Sequence, residues 1–319
     1  MNWIALSLAA AAALAAAPAS AQDWPSRPVH IVVPYTPGTG ADILSRVLGP
    51  KLSERWKTPV VVDNKPGATG NIGAEQVAKS EPDGYTFLVT ATSFTTNPAL
   101  KPAPFDPVKD FAPVVLIATG ELGLYINPQV PAKSAKEFVE LVKKQPGKLY
   151  YSSPGNGGPQ HLAMELLKLE TGIDIVHVPY KGAAGAISDL VGGHVQAMIS
   201  ALQTVAPHVH SGRLRMLAVL SDERAPAFSD VPTLKEAGVA DIEVSTWYAM
   251  FAPAGTPEAV VKRANADVNE FLKEDDLRKL LAKQGLNAGG GAPQALGDRV
   301  KRELARWTRV VKAAHIKPD

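Results

Sequence analysis

The sequence predicts an α/β fold of two lobes, and three observations carry that reading. Short apolar runs alternate with amphipathic stretches, the pattern of strands and helices in parallel-sheet proteins. The strand–helix series starts twice, once near residue 30 and again near residue 134. The 319 residues are long enough for two domains of ordinary size.

In chain order, His30-Ile31-Val32-Val33 reads as a compact strand, followed by a helix over 41–56 with Ile43, Val47, Leu48 and Leu52 on one face. Val60-Val61-Val62 is the next strand, and a Gly-rich turn leads to a short helix over 72–78. The turn Pro82-Asp83-Gly84 opens a strand over 85–89. The second series begins at the capping box Ser134 to Glu137, whose helix runs through Leu141. A strand over 149–152 then feeds another Gly-rich turn and a helix carrying Leu162, Met164, Leu166 and Leu167. Further strands are expected over 173–178, 195–199 and 214–220, and a second capping box at Thr233 to Glu236. After Trp247 the chain reads as helical, with Thr256-Pro257 as cap and first-turn proline. Leu296, Val300, Leu304, Trp307 and Val311 form the stripe of the last helix. The apolar segments 122–126 and 244–251 are candidate hinge strands. The expected lobes are therefore 22–122 with 248–319, and 123–247.

Composition removes several function classes. Hydrophobic residues at 45% exclude a disordered chain. Lys+Arg 33 against Asp+Glu 31 leaves a net charge of +2, too even for a surface that coats nucleic acid. With no cysteine, there is no disulfide, thiol nucleophile, thiolate metal site or lipoprotein anchor. The N-terminus adds a compartment. Ile4 through Ala17 is apolar except for Ser7, and Pro18-Ala19-Ser20-Ala21 ends it as a signal-peptidase site before Gln22. No Lys or Arg precedes that run. The expected product is an exported protein, with 1–21 removed as a signal peptide.

In open parallel sheets ligands sit beyond the carboxyl ends of the strands. The loop after Val33 carries Pro37-Gly38-Thr39-Gly40 into a helix start, where unpaired amides and the helix dipole favour an anion. It is a poor dinucleotide fingerprint, since the third glycine falls at Ile43. Read alone, it serves equally as a plain turn. The loop from Ser152 through Gly155-Asn156-Gly157-Gly158 to His161 repeats the design in the second series, so two anion cradles are expected to face one cleft. Thr92, Ser93 and Phe94 after the third strand add hydroxyl donors and one aromatic ring. Catalytic motifs are missing: there is no G-x-S-x-G, Walker loop or H-E-x-x-H. The seven histidines are scattered, and His208 and His210 point to different faces of a helix. No metal and no cofactor are expected.

At these loops the sequence resembles the Bug-type extracytoplasmic solute receptors, the periplasmic binding component of tripartite tricarboxylate transporters. The resemblance spans essentially the whole mature chain. Its markers include Trp24-Pro25, Val33-Pro34-Tyr35, Asn64-Lys65-Pro66-Gly67-Ala68, Gly70-Asn71-Ile72-Gly73, Asn97-Pro98-Ala99-Leu100, His177-Val178-Pro179-Tyr180-Lys181-Gly182 and Asp230-Val231-Pro232-Thr233. It implies a two-lobed periplasmic binding fold that closes on a small organic carboxylate held by main-chain amides and bridging waters. It further implies delivery to integral-membrane transporter subunits, with no nucleic acid partner, by a monomer. Carried over by position, the first-lobe grip is Tyr35, Thr39, Gly40, Ala41 and Asp42. The second is Ser153, Gly155, Asn156 and Gly157, with Gln160 and His161 beside it. Tyr180 and Trp247 either wall the cleft or pack as hinge or core aromatics. The chain departs from many relatives at Thr39, where they have glycine. It also has Ser200-Ala201-Leu202 where they often have Asp-Asn-Leu, which bears on which acid fits. Two other readings of the scaffold are an exported enzyme, which no nucleophile–base pair supports, and a ligand sensor for a signalling partner.

Overall fold

A computed structural model describes residues 24–316; the expected signal peptide and its cleavage site lie outside them. The first series comprises β1 (Val29–Val33), α1 (Gly40–Trp56), β2 (Val60–Asn64), α2 (Asn71–Ala78), β3 (Thr86–Ala91) and α3 (Ser93–Leu100). The long β4 (Phe111–Ile126) leads into α4 (Ala135–Lys144), β5 (Tyr150–Ser153), α5 (Pro159–Thr171), β6 (Val176–Pro179), α6 (Ala183–Gly192), β7 (Ala197–Ala201), α7 (Leu202–His210) and β8 (Arg215–Val219). The chain returns through β9 (Ser245–Pro253) to α8 (Glu258–Phe271), α9 (Asp275–Lys283), β10 (Leu286–Ala288) and α10 (Pro293–Ala313).

The strands form one curled sheet in the order β2-β1-β3-β9-β4-β7-β5-β6, with β10 and β8 also paired to β4. Each half holds a parallel trio: β1 between β2 and β3, and β5 between β6 and β7. Antiparallel strands join the halves. β4 pairs with β9 up to Glu121↔Ser245, and with β7 from Leu122↔Ala201 onward. At the same level the Leu220 amide donates to the Leu122 carbonyl, and the Val244 amide to the Leu220 carbonyl. The two halves are thus joined by adjacent crossings, the geometry of a hinge.

Several sequence expectations change. The candidate hinge strand over 244–251 is strand, but the helical reading after Trp247 gives way until Glu258, because the run through Pro253 buries Trp247 on one face and meets α1 with Tyr248 on the other. The α1 face centres on Leu44, Leu48, Leu52 and Trp56, turned away from Ile43 and Val47. The box at Thr233 forms both its hydrogen bonds, Glu236 amide to Thr233 Oγ1 at 3.0 Å and Thr233 amide to Glu236 Oε2 at 2.9 Å. No helix follows, because Gly238 turns left-handed (φ 66°) and the Val239 amide closes back on the Leu234 carbonyl. The box at Ser134 does open α4, with the Glu137 amide donating to Ser134 Oγ at 3.2 Å.

The last helix belongs to both halves. Leu296 and Val300 pack with Phe94, Trp247 and Phe251, whereas Trp307, Val310 and Val311 join the core of the second half around Leu162 and Leu166. Burying side chains of this size contributes about 1.5–3 kcal/mol each. The stripe contains one surprise: Glu303 is buried where Leu304 was expected, and Leu304 is only half-buried.

Candidate functional site

The first loop is organised from beneath by Asp42. Its Oδ2 accepts the Gly38 amide at 2.8 Å, and its Oδ1 accepts Arg46 Nε and Asn64 Nδ2, each at 2.9 Å. Gly38 is left-handed (φ 85°), a conformation glycine adopts without cost. Burial alone would raise the Asp42 pKa, but the Gly38 amide, Arg46 and Asn64 outweigh it and hold the carboxyl below its usual range. Asp42 therefore builds the loop and does not face a ligand. Because its pKa is depressed on folding, the stability it contributes is full above the unfolded value of about 3.9 and lost as pH falls through the lower folded value. Asp42→Asn is expected to lower the melting temperature at pH 7, with the difference from wild type shrinking below about pH 4. A pH-independent difference would show that the carboxylate charge plays no part.

Above that anchor, Thr39 starts α1 without a side-chain cap, its hydroxyl being turned to the Thr36 carbonyl at 3.0 Å. The first-turn amides of Gly40, Ala41 and Asp42 therefore lack a side-chain partner and carry the positive end of the dipole. Tyr35 is fixed by its hydroxyl, which is hydrogen-bonded to Ser93 Oγ at 2.6 Å and Thr90 Oγ1 at 3.0 Å and accepts the Ala91 amide at 3.2 Å.

The second loop has a different internal logic. Ser153 Oγ is hydrogen-bonded to His177 Nε2 at 2.7 Å and donates to the Gly155 carbonyl at 2.8 Å. The Gly157 amide donates to His161 Nδ1 at 2.9 Å, so it serves the loop and is not directed at a ligand. His161 and His177 are stacked at 3.8 Å, with Tyr151 behind His177 at 4.8 Å. Burial, and then the neighbouring His161, push the His177 pKa down to about 4, so that ring is neutral at pH 7. Beyond the loop, Gly158 caps α5 without a side chain, and Pro159 and Gln160 form its first turn.

Between the halves lies a cavity of about 210 Å³. Thr69, Ser93, Thr96, Asn97, Leu100 and Lys101 line it from the first half, and Asn156, Gly157, Gly158 and Pro159 from the second. The lining holds hydroxyls, amides and one cation, and no carboxylate. Such a surface accepts an anion.

The other expected site residues separate from this cavity. Thr92 is buried and its Oγ1 accepts the Trp247 amide at 2.9 Å. Phe94 lies in an aromatic cluster with Phe105, Phe111 and Phe251, at 5.6, 5.0 and 4.6 Å. Trp247 is fully buried and gives its indole N–H to Glu303. Both aromatic rings are core, which corrects the expected place of Phe94 at the cleft and selects the core alternative for Trp247. Ser200 is buried at the end of β7, and Ala201 precedes α7. The Tyr180 hydroxyl is committed to Asp189, and burial together with that carboxylate pushes its pKa up to about 12. Its backbone stays beside the loop, its amide donating to the Ser153 carbonyl at 3.0 Å.

Two contributors escape sequence reasoning. Tyr248 stands over the start of α1, so close that a Cβ on Gly40 would fall 2.3 Å from its hydroxyl. Thr69, held left-handed (φ 54°) with its carbonyl bonded by Asn97 Nδ2 at 2.9 Å, lines the cavity opposite the second loop. A non-glycine residue at positive φ was the signal available for Thr69 only once the backbone was known. Among the described residues no cluster of three or more acids or histidines is placed to hold a metal ion, and no helix is long and apolar enough to cross a membrane.

Two hinged α/β halves with an anion-accepting cavity between them define a solute-binding receptor. A profile of the tripartite tricarboxylate transporter family receptors matches residues 44–316, and the chain belongs to that family. It is 36% identical to protein BugT of Bordetella pertussis over 300 residues, covering 93% of this chain and 92% of that protein. Among solved structures, R. palustris Rpa4515 with adipate is 38% identical with a TM-score of 0.72, covering 93% of this chain and all of that one. A TctC solute-binding protein from Polaromonas, solved with no ligand, is 30% identical with a TM-score of 0.85, covering 91% and 99%.

Proposed function

We propose that the chain is an exported, non-catalytic receptor. It captures a small organic acid between its lobes and hands it to integral-membrane subunits of a tripartite tricarboxylate transporter. The observation that carries this reading is the inter-lobe cavity, bordered by the uncapped start of α5, lined by hydroxyls and free of carboxylates. The proposed lobes are 22–122 with 248–319, and 123–247; the strand crossings at Glu121/Leu122 and Val244/Ser245 support that division to within a few residues, while the end of α10 packs on the second lobe. Hinge closure between the lobes is supported by those adjacent strand crossings.

The preferred ligand is a mono- or dicarboxylate with an apolar middle, such as adipate, terephthalate or benzoate. Leu100 lines the cavity, and the rings of Tyr35, beside Gly70, and Tyr248, over Gly40, lie outside that lining and would add apolar contact as the lobes close. An amino acid would bury an ammonium group with no carboxylate to pair it, and citrate would bring three charges to one lysine. Titration calorimetry with adipate, terephthalate, benzoate, citrate and glutamate tests this. The diacids or benzoate are expected to bind tightest, and glutamate or citrate in first place would overturn the assignment. Ligand at 100 times its Kd should add about 2.7 kcal/mol to folding stability, read as a raised Tm. The acid should be recovered unchanged. Periplasmic protein should have an intact mass that starts near Gln22, and a product retaining Met1 would refute export with cleavage.

A further inference from the structure

The buried carboxylate of Glu303 has no role in the site described so far, yet it sits where α10 passes from one lobe to the other. Leu296 and Val300 before it pack in the first lobe, and Trp307 and Val310 after it pack in the second. Its Oε2 accepts Trp247 Nε1 of β9 at 2.8 Å and Thr95 Oγ1 of α3 at 3.0 Å, while Arg299 lies 3.4 Å from Oε1. Arg299 also donates to Ser245 Oγ at 3.1 Å and pairs with Glu243, at the point where β9 leaves the second lobe. From there the contacts run to the ligand loops. The Trp247 amide is held by Thr92, whose neighbour Ser93 is hydrogen-bonded to Tyr35, and Tyr248 follows Trp247 directly.

Stability does not account for a carboxylate here. Burial pushes its pKa up against the pull of Trp247, Arg299, Thr95 and Arg306. A buried ionic group is often matched or bettered by an apolar residue of similar volume, and the stripe around position 303 is apolar. We propose that Glu303 is the positioning residue for ligand capture. From the mid-point of the helix rooted in both lobes, it fixes α3 and β9, and through them Ser93, Tyr35 and Tyr248, in the geometry that grips the acid. It thereby couples lobe closure to the first-lobe loop. This rests on the receptor reading above.

The test uses adipate and the mature protein labelled with 5-fluorotryptophan, the Trp247 resonance being assigned with Trp247→Phe. Failure of the wild type to bind any acid of the panel would sink the receptor reading, whereas the following outcomes concern Glu303 alone. The wild-type Trp247 resonance is expected to move on saturation with adipate. Glu303→Gln, and Glu303→Leu as a variant suited to the apolar stripe, should raise the Kd about ten-fold. At saturation the Trp247 resonance of either variant should no longer follow the ligand, a readout that a purely structural carboxylate would leave unchanged. Variants binding within two-fold of wild type overturn the proposal, as does a wild-type Trp247 resonance blind to adipate. That last measurement decides the matter even if neither variant folds.

Discussion

Gly157→Val is expected to abolish adipate binding while the protein still melts cooperatively. Two independent costs meet at this residue. Its backbone is left-handed (φ 69°), where a side chain costs roughly 1–2 kcal/mol and a β-branched one more. A Cβ would also fall 2.6 Å from Leu100 Cδ1 and 3.1 Å from Cδ2, across the cleft. The sequence places glycine here so that a ligand can approach the backbone; in the structure it is the other lobe that approaches. Valine would drive the 155–158 loop away from α3, widen the cavity and pull the Gly157 amide off His161. The combined penalty corresponds to a loss of about 100-fold or more in affinity. Gly155→Ala is the control. Its φ is not left-handed, and the nearest atom to an added Cβ is the Tyr180 carbonyl oxygen at 3.8 Å, so this variant should lose far less affinity than Gly157→Val. Calorimetry on both variants decides it. Binding by Gly157→Val as tight as wild type would show that the second-lobe grip lies elsewhere.

What the sequence made legible was local chemistry. Glycines followed by a helix start mark both loops, because an uncapped N-terminus has one electrostatic sign whatever packs around it. Position across the fold was another matter. The run 244–251 is nearly all apolar, so no alternation showed which of Trp247 and Tyr248 faces the core and which faces α1. Thr92 to Asn97 reads as a polar loop, since Ser, Thr and Asn are modest helix formers. Phe94 stacking on Phe251, and the Thr95 bond to Glu303, hold it as α3 instead. Asp42 stands at the helix start that the sequence indicates, but its oxygens serve the loop. Its partners Asn64 and Arg46 come from β2 and the next turn, and only the folded chain shows that they use up the carboxylate. Glu303 carried no signal at all, because a lone acid in an amphipathic stripe is ordinarily a solvated edge residue.

Gly40→Ala should weaken adipate binding about ten-fold, and removing the Tyr248 ring should cancel that extra loss. The backbone of Gly40 is not left-handed, so the effect is steric alone. The added Cβ would lie 2.3 Å from the Tyr248 hydroxyl, 2.6 Å from Cζ and 2.9 Å from Cε1, all inside van der Waals contact. Either the ring swings out or the first turn of α1 retreats, and both disturb the amides proposed to receive the acid. Tyr248→Phe cannot relieve the clash, since Cζ and Cε1 remain. Tyr248→Ala can. That variant alone should bind less well than wild type, through lost apolar contact, and adding Gly40→Ala to it should cost nothing further. The double-mutant cycle should therefore be strongly non-additive, with a coupling of about 0.5–3 kcal/mol, as residues in direct contact show. Additive losses would mean that Gly40 acts on the ligand without Tyr248, and that the tyrosine is a bystander at the start of α1.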